Sequence, residues 1–221
     1  SLNDKIAFTP TAILFDNFII KDERDNDLAI NGKIDSENFS NFGFDLALNA
    51  DDFKAVNSKA KDNDLYYGEL FLDNHLKISG NLDNPVVEGT IKINKDTKFT
   101  IVLPQSDPSI ADREGIVEFI DQDNPQLTET VVLEQLNSEM GIRGINASVN
   151  IEIDKEAEIS IIIDKANGDF IKVKGEAQLN GGIDPSGKTT LTGRYELSEG
   201  SYEMNFNSIK RKFDIKKGSY I

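Results

Sequence analysis

The chain has 221 residues, of which 39 are acidic and 24 basic, giving a formal net charge of −15. Because a polyanion is bound through concentrated positive charge, this balance argues against nucleic acid as a partner. Cysteine is absent, which excludes a disulfide framework, a thiolate metal site and a cysteine nucleophile. No apolar run reaches the roughly 18 residues of a membrane helix, and no signal peptide opens the chain. Because the chain begins at Ser1 without a methionine and stops in mid-pattern at Ile221, we expect a piece of a longer protein, with any anchor or export signal outside it.

The first candidate site in chain order is an acidic run formed by Asp22, Glu23, Asp25 and Asp27. Its spacing resembles part of a calcium-binding loop, but the glycine of the sharp turn and the distal bidentate glutamate are missing. The single histidine, His75, cannot form a conventional histidine-rich zinc site. The sequence therefore predicts neither a metal site nor a cofactor.

From residue 76 onward, apolar and polar residues alternate with period two, the spacing that places successive side chains on opposite faces of a strand. Turn residues such as Asp83-Asn84-Pro85 and Gly181-Gly182 separate the alternating runs. This pattern predicts an all-β fold, a long antiparallel meander with one apolar and one polar face. Periodicity alone leaves open whether a second sheet covers the apolar face or the sheet is open and curled.

Two stretches interrupt the alternation: a polar loop at residues 105–114, and residues 121–144, which contain Pro125. The second stretch is long for a connection inside a compact domain. We predict a mobile insertion there within one continuous segment that spans residues 1–221.

The residues from Gly182 to Thr189 satisfy the phosphate-binding pattern G-x-x-x-x-G-K-[ST]. A functional P-loop opens a helix, whereas Thr190-Leu191-Thr192 continues with β-branched residues at period two. A glycine-rich hairpin loop is therefore the favoured interpretation, and nothing in the sequence argues for an enzyme.

The C-terminal strands are locally basic, with Lys210, Arg211, Lys212, Lys216 and Lys217 close together. Lysines on a strand edge discourage edge-to-edge aggregation. The alternative interpretation is a contact for anionic headgroups or for an acidic partner.

Several runs resemble a known family. Residues 66–70 and 76–91, in which a strand ends in glycine, a turn carries Pro85 and the next strand contains Gly89, resemble the repeat of AsmA-like proteins. Residues 99–104, 115–119, 193–197, 199–202 and 213–219 resemble the C-terminal domain of the TamB family. The resemblance covers residues 66–221 well and residues 1–60 loosely.

This resemblance implies a Gram-negative cell-envelope protein, located in the periplasm and anchored in the inner membrane by an N-terminal helix outside this chain. It implies a β-sheet curled into an open trough, a β-taco, with an aliphatic interior that carries phospholipid toward the outer membrane. Support of outer-membrane assembly beside a TamA-like partner is implied as well. The expected groove lining is Leu76, Ile78, Leu82, Val87, Ile91, Ile93, Val117, Phe119, Val149, Ile151, Ile153, Ile159, Ile161, Ile163, Ile171, Val173, Leu179, Leu191, Tyr195, Leu197, Tyr202, Met204, Phe206, Phe213 and Ile215.

A second function remains open at this point. A structural or chaperone-like module could offer strand edges to barrel precursors, using backbone hydrogen bonds rather than groove chemistry. Either function requires no catalytic residue.

Overall fold

The computed structural model describes residues 5–37, 41–103, 144–206 and 209–221. Over these residues the chain forms strands and no helix. The described residues therefore include no helix long and apolar enough to cross a membrane. The all-β prediction is confirmed. The strands are β1 (Lys5–Phe8), β2 (Ala12–Lys21), β3 (Asp27–Glu37), β4 (Asn41–Ser58), β5 (Tyr66–Asn81), β6 (Pro85–Ile93), β7 (Lys98–Val102), β8 (Asn146–Ile153), β9 (Glu158–Asp164), β10 (Asp169–Ile183), β11 (Thr189–Phe206) and β12 (Ile209–Asp214).

The described strands form one sheet, in the order β1-β2-β3-β4-β5-β6-β8-β10-β11-β12. Strand β7 pairs with the beginning of β5, beside β6, and β9 pairs with the beginning of β10, beside β8. Neighbours along the sheet are antiparallel, except that β6 pairs with β8 and β7 with β9 in parallel. Residues facing each other in both parallel pairs differ by 60 in number, as in Ile93 and Ile153 or Phe99 and Ile159.

A line of irregularities, which we call the fold line, crosses the sheet. Strand β4 has a bulge at residues 51–52, turns at residues 94–97 and 154–157 separate β6 from β7 and β8 from β9, and β11 has a bulge at Ser198. Bulges bend a strand and increase its twist, so a row of them folds the whole sheet. The result is a sheet curled around an axis, a trough- or taco-like fold.

The fold line divides the sheet into two walls. The first wall contains β1, β2, β3, β6 and β8, and the second contains β7, β9 and β12. The long strands β4, β5, β10 and β11 pass from one wall into the other. Each of them therefore contributes to both walls, which makes the trough a single hydrogen-bonded layer.

The two turns on the fold line occupy equivalent positions and share a hydrogen-bond pattern. The N–H of Thr97 donates to the carbonyl of Asn94, and the N–H of Ala157 donates to the carbonyl of Asp154. Both Thr97 and Ala157 are buried. The N–H of Glu158 also donates to the carbonyl of Thr97, which joins the two turns side by side.

The predicted mobile insertion at residues 121–144 lies outside the described residues, apart from Gly144. The N–H of Gly144 donates to the carbonyl of Pro185, next to the start of β8.

Candidate functional site

The strand registers place those predicted groove residues that lie in paired strands on one face, which we call the trough face. Residues directly opposite each other on neighbouring strands point to the same side of a sheet. One row of such partners runs Leu72, Ile93, Ile153, Ala177 and Tyr195 across five strands. The trough face is therefore continuous along the strand order.

The second wall extends this face across the fold line. Phe99 of β7 faces Ile159 of β9, and Ile159 faces Val173 of β10. The bulge at Ser198 adds one residue to β11, so odd-numbered residues before it and even-numbered residues after it face the trough. For this reason the odd-numbered Leu197 and the even-numbered Tyr202 lie on the same face.

Three predicted groove residues have no described side chain. Val117 and Phe119 lie outside the described residues, and only the strand position of Phe206 is described. Ile163 lies at a register irregularity between β9 and β10, so its face is not set by a paired neighbour. The lipid-binding role of the whole set of predicted groove residues stays a prediction.

Exposure on the trough face increases away from the fold line. Val173 and Leu197, which lie beside the line, are each 3% exposed, whereas Leu191, near the far end of the first wall, is 50% exposed. Most groove residues between these extremes are partly exposed. A sealed sandwich would bury side chains along the whole strand, so this gradient indicates a trough with a closed floor and an open mouth.

The floor of the trough is formed by two buried apolar clusters. Ile153, Ala157 and Ala177 form the first, and Ile159, Val173 and Leu197 form the second. Tyr195 packs against both clusters. The floor therefore has a packed lining, whereas the upper walls do not.

The predicted groove lining named no residue in the N-terminal part of the trough face. Strands β1–β4 continue the face with many ring side chains, and a detectable signal was the alternation at residues 42–48. The registers place on this face Ile6, Phe8, Ile13, Phe15, Phe18, Ile20, Leu28, Ile30, Ile34, Phe42, Phe44, Leu46, Leu48, Ala50, Phe53 and Val56.

The opposite side of the sheet, the outer face, carries one completely buried aromatic residue at the fold line. Phe71 is 0% exposed, and the guanidinium carbon of Arg24 lies 4.0 Å from the centre of its ring. The Nζ atom of Lys54 lies 5.1 Å from the same ring centre. The Thr97 hydroxyl group accepts from the N–H of Phe71 and donates to its carbonyl. Phe71 therefore connects the β2–β3 turn, β4, β5 and the 94–97 turn.

Asp22, the first residue of the acidic run, lies in the β2–β3 turn beside Phe71 and bonds the backbone of β4. One Asp22 carboxylate oxygen accepts hydrogen bonds from the N–H groups of Arg24 and Asn26, and the other accepts from the N–H of Lys54, at 2.7–2.9 Å. Burial by itself raises the pKa of Asp22, but these backbone donors outweigh it and hold that pKa below its ordinary value. The carboxylate stabilises a turn and a bulge.

A second carboxylate has a similar role across the fold line. Asp73 accepts from the N–H of Asp52 at 2.8 Å and from the side-chain amide of Asn94 at 2.7 Å. Burial raises the pKa of Asp73, and the hydrogen bonds from Asp52 and Asn94 outweigh it, so the pKa lies below its usual value. Among the described residues, no group of three or more His, Asp or Glu side chains is arranged to hold a metal ion.

The phosphate-binding pattern forms the hairpin loop that the sequence favoured. Residues 184–188 connect β10 to β11, and Thr189 begins a strand. The Asp184 carboxylate accepts from the N–H groups of Ser186 and Lys188. The amides that would bind a phosphate are thus occupied by a negatively charged side chain.

The basic residues near the C-terminus are divided between the two faces. Lys212 is opposite Glu203 on the outer face, whereas Arg211 is opposite Met204 on the trough face. Both side chains are exposed. Arg211 lies on the second wall, away from the fold line.

Comparison with known proteins gives one family. A family model described as the TamB C-terminal domain matches residues 16–221. No curated protein and no solved structure matches the chain.

Proposed function

This chain belongs to the TamB family, and from that premise we propose that it is a segment of a periplasmic conduit for phospholipid acyl chains. The family is a transport and assembly module of the cell envelope. In this proposal the conduit connects the inner and outer membranes and supports outer-membrane assembly. A helix elsewhere in the parent protein anchors it in the inner membrane, and a TamA-like barrel-assembly protein is the outer-membrane partner.

The observation that carries the proposal is the continuous apolar trough face, buried at the floor and open at the mouth. Acyl chains require apolar surface but no directional contacts, so a lining of this kind suits them. Burial of each tail CH₂ contributes roughly 0.8 kcal/mol, so partial coverage of two tails gives useful affinity. A headgroup remains in water above the open mouth.

The position of Arg211 is compatible with such a headgroup. Its row on the trough face contains Met204, and its exposed guanidinium group can donate two hydrogen bonds to one phosphate. Of the basic residues in β12, Arg211 lies on the trough face, whereas Lys210 and Lys212 lie on the outer face.

Native mass spectrometry of the gently purified chain tests this proposal. We expect co-purified species whose masses correspond to intact phospholipids, released at higher collision energy. Protein that carries no lipid, and that acquires none from phospholipid vesicles, would contradict the proposal.

One observation favours the alternative function, a module that supports barrel assembly through its strand edge. Strand β12 lies at an edge of the described sheet, and all six of its residues are exposed. An edge strand presents unpaired N–H and C=O groups to which another strand can add. Proline substitutions on the outward edge of β12 would then reduce binding to barrel precursors while leaving lipid binding intact.

A further inference from the structure

The trough has a similar depth on its two walls, measured along the strands from the floor to the mouth. On the first wall, Ile153 belongs to the floor, and Ala147, near the start of β8 on the same face, lies six residues away. On the second wall, Ile215 packs against the floor, and Ile209, at the start of β12, also lies six residues away. Because a strand rises about 3.3 Å per residue, both walls extend about 20 Å from the floor.

Arg211 marks a level between the floor and the mouth of the second wall. It lies four residues from Ile215 along the chain, which is about 13 Å in an extended strand. Its side chain is exposed, and Ile209, nearer the mouth, is 56% exposed. The hydrocarbon core of a bilayer is about 30 Å thick, so one layer of tails is about 15 Å thick. The distance from the floor to Arg211 therefore matches one layer of tails.

A lipid can lie along the trough or stand across it, and the two orientations place the headgroup differently. At floor level the row that runs along the trough is apolar, as in Ile93, Ile153 and Ala177. A headgroup on this row would lose its water without gaining a partner, which costs free energy. A standing lipid instead keeps its headgroup beside the exposed Arg211 and places its tail ends on the buried floor clusters.

We infer that phospholipids stand across the trough, with their tail ends on the floor and their phosphates level with Arg211. The inference rests on the proposed function and adds the orientation of the lipid and the length of tail that fits. Tails as long as one layer of a bilayer fill the space from the floor to Arg211. Each CH₂ missing from a shorter tail should weaken binding about fourfold, because less apolar surface is then covered.

Depth-dependent fluorescence quenching tests the orientation. The chain contains no cysteine, so Ile151→Cys, near the floor, and Ala147→Cys, near the mouth, each accept a single fluorescent label. Each labelled chain is loaded with phosphatidylcholine that carries a nitroxide, a short-range quencher, either on the headgroup or at the end of one tail, and is then separated from the vesicles. We expect the tail-end nitroxide to quench the label at position 151 more than the label at position 147, and the headgroup nitroxide to do the reverse.

Asn150→Cys, on the outer face between these two positions, is the matched control, and neither nitroxide should quench its label. Equal quenching of positions 147 and 151 by both lipids, or the opposite order, would overturn the inference and leave the proposed function standing. Quenching of neither trough position, or quenching at position 150 as strong as at position 151, would overturn both.

The level of the phosphate has a test of its own. Arg211→Gln should weaken the binding of phosphatidylcholine about tenfold, the effect of losing a hydrogen bond to a charged group. It should leave the binding of diacylglycerol with the same tails unchanged, because that lipid has no phosphate. Lys212→Gln, on the outer face of the same strand, is the matched control and should change neither affinity. Undiminished binding of phosphatidylcholine by the Arg211→Gln chain would overturn the position inferred for the phosphate.

Discussion

At the scale of single residues, the most informative side chain is Phe71, because it is completely buried although it lies on the outer face. Alternation does not assign Phe71 to a face, because Leu70, Phe71 and Leu72 are all apolar. It could not show that Arg24 lies over the ring or that Thr97 bonds the Phe71 backbone, since both residues are distant from Phe71 in sequence. Contacts of this kind follow from tertiary structure rather than from local pattern.

We expect Phe71→Ala to reduce the free energy of unfolding by about 3–5 kcal/mol, because it leaves a cavity beneath Arg24 and Lys54. Urea denaturation followed by circular dichroism measures the change. Phe8→Ala is the matched control, since Phe8 is 76% exposed and its loss should cost less than about 0.5 kcal/mol. Equal effects of the two substitutions would show that the outer-face contacts do not stabilise the fold.

The Asp22 carboxylate gives the stability a pH dependence of known sign. Its pKa is lowered in the folded chain, so its contribution is fully present above the unfolded value of about 3.9 and is lost as the pH falls through the folded value. Asp22→Asn should be less stable than the wild type at pH 7, and the difference should shrink as the pH falls below about 4. Denaturation curves at several pH values measure it; a constant difference would contradict this role.

At the scale of elements, the sequence predicted the strands from residue 76 onward and the hairpin loop at residues 182–189. These features are local, because alternation and turn residues determine them over a few positions. The parallel pairing of β6 with β8 and of β7 with β9 was not predicted. The repeated pattern in residues 91–102 and 151–162, with a lysine at residues 95 and 155, was present in the sequence as a signal.

The two fold-line turns have different requirements at the same position. Thr97→Ala removes the hydroxyl that bonds Phe71 and should cost about 1–3 kcal/mol. Ala157→Thr adds atoms in the packed floor beside Ile153 and Ala177 and should also cost about 1–3 kcal/mol.

Thermal denaturation of both variants measures these costs. Ser79→Ala, on the outer face of β5 away from the turns, is a suitable control and should change stability little. Tolerance of both turn substitutions would contradict the packing described for the fold line.

At the scale of the whole molecule, a single sheet folded along one line produces a packed floor and half-exposed walls. Alternation predicted the apolar face, but strands of an open sheet and strands of a sandwich show the same alternation. The family resemblance, rather than periodicity, indicated the trough. The line of bulges that produces it depends on strand register, which a single sequence does not reveal.

An open wall and a packed floor should respond differently to a charge. Ile161, whose neighbours are Ile101 and Ile171, is partly exposed, so Ile161→Asp should abolish lipid binding while reducing stability moderately. Val173→Asp, in the buried floor, should destabilise the chain by several kcal/mol more, because its carboxylate cannot reach water. Melting curves and native mass spectra of both variants measure this; equal unfolding of both would favour a sealed core.

The measurement that tests the central claim most directly is photo-crosslinking in cells along β8 and β9. Photo-reactive residues are introduced at Val149, Ile151, Ile159 and Ile161 on the trough face, and in matched variants at Asn150, Glu152, Glu158 and Ser160 on the outer face. We expect the first set to capture phospholipid and the second set to capture none. Equal capture by both faces, or capture by neither, would contradict a conduit that carries acyl chains along the trough.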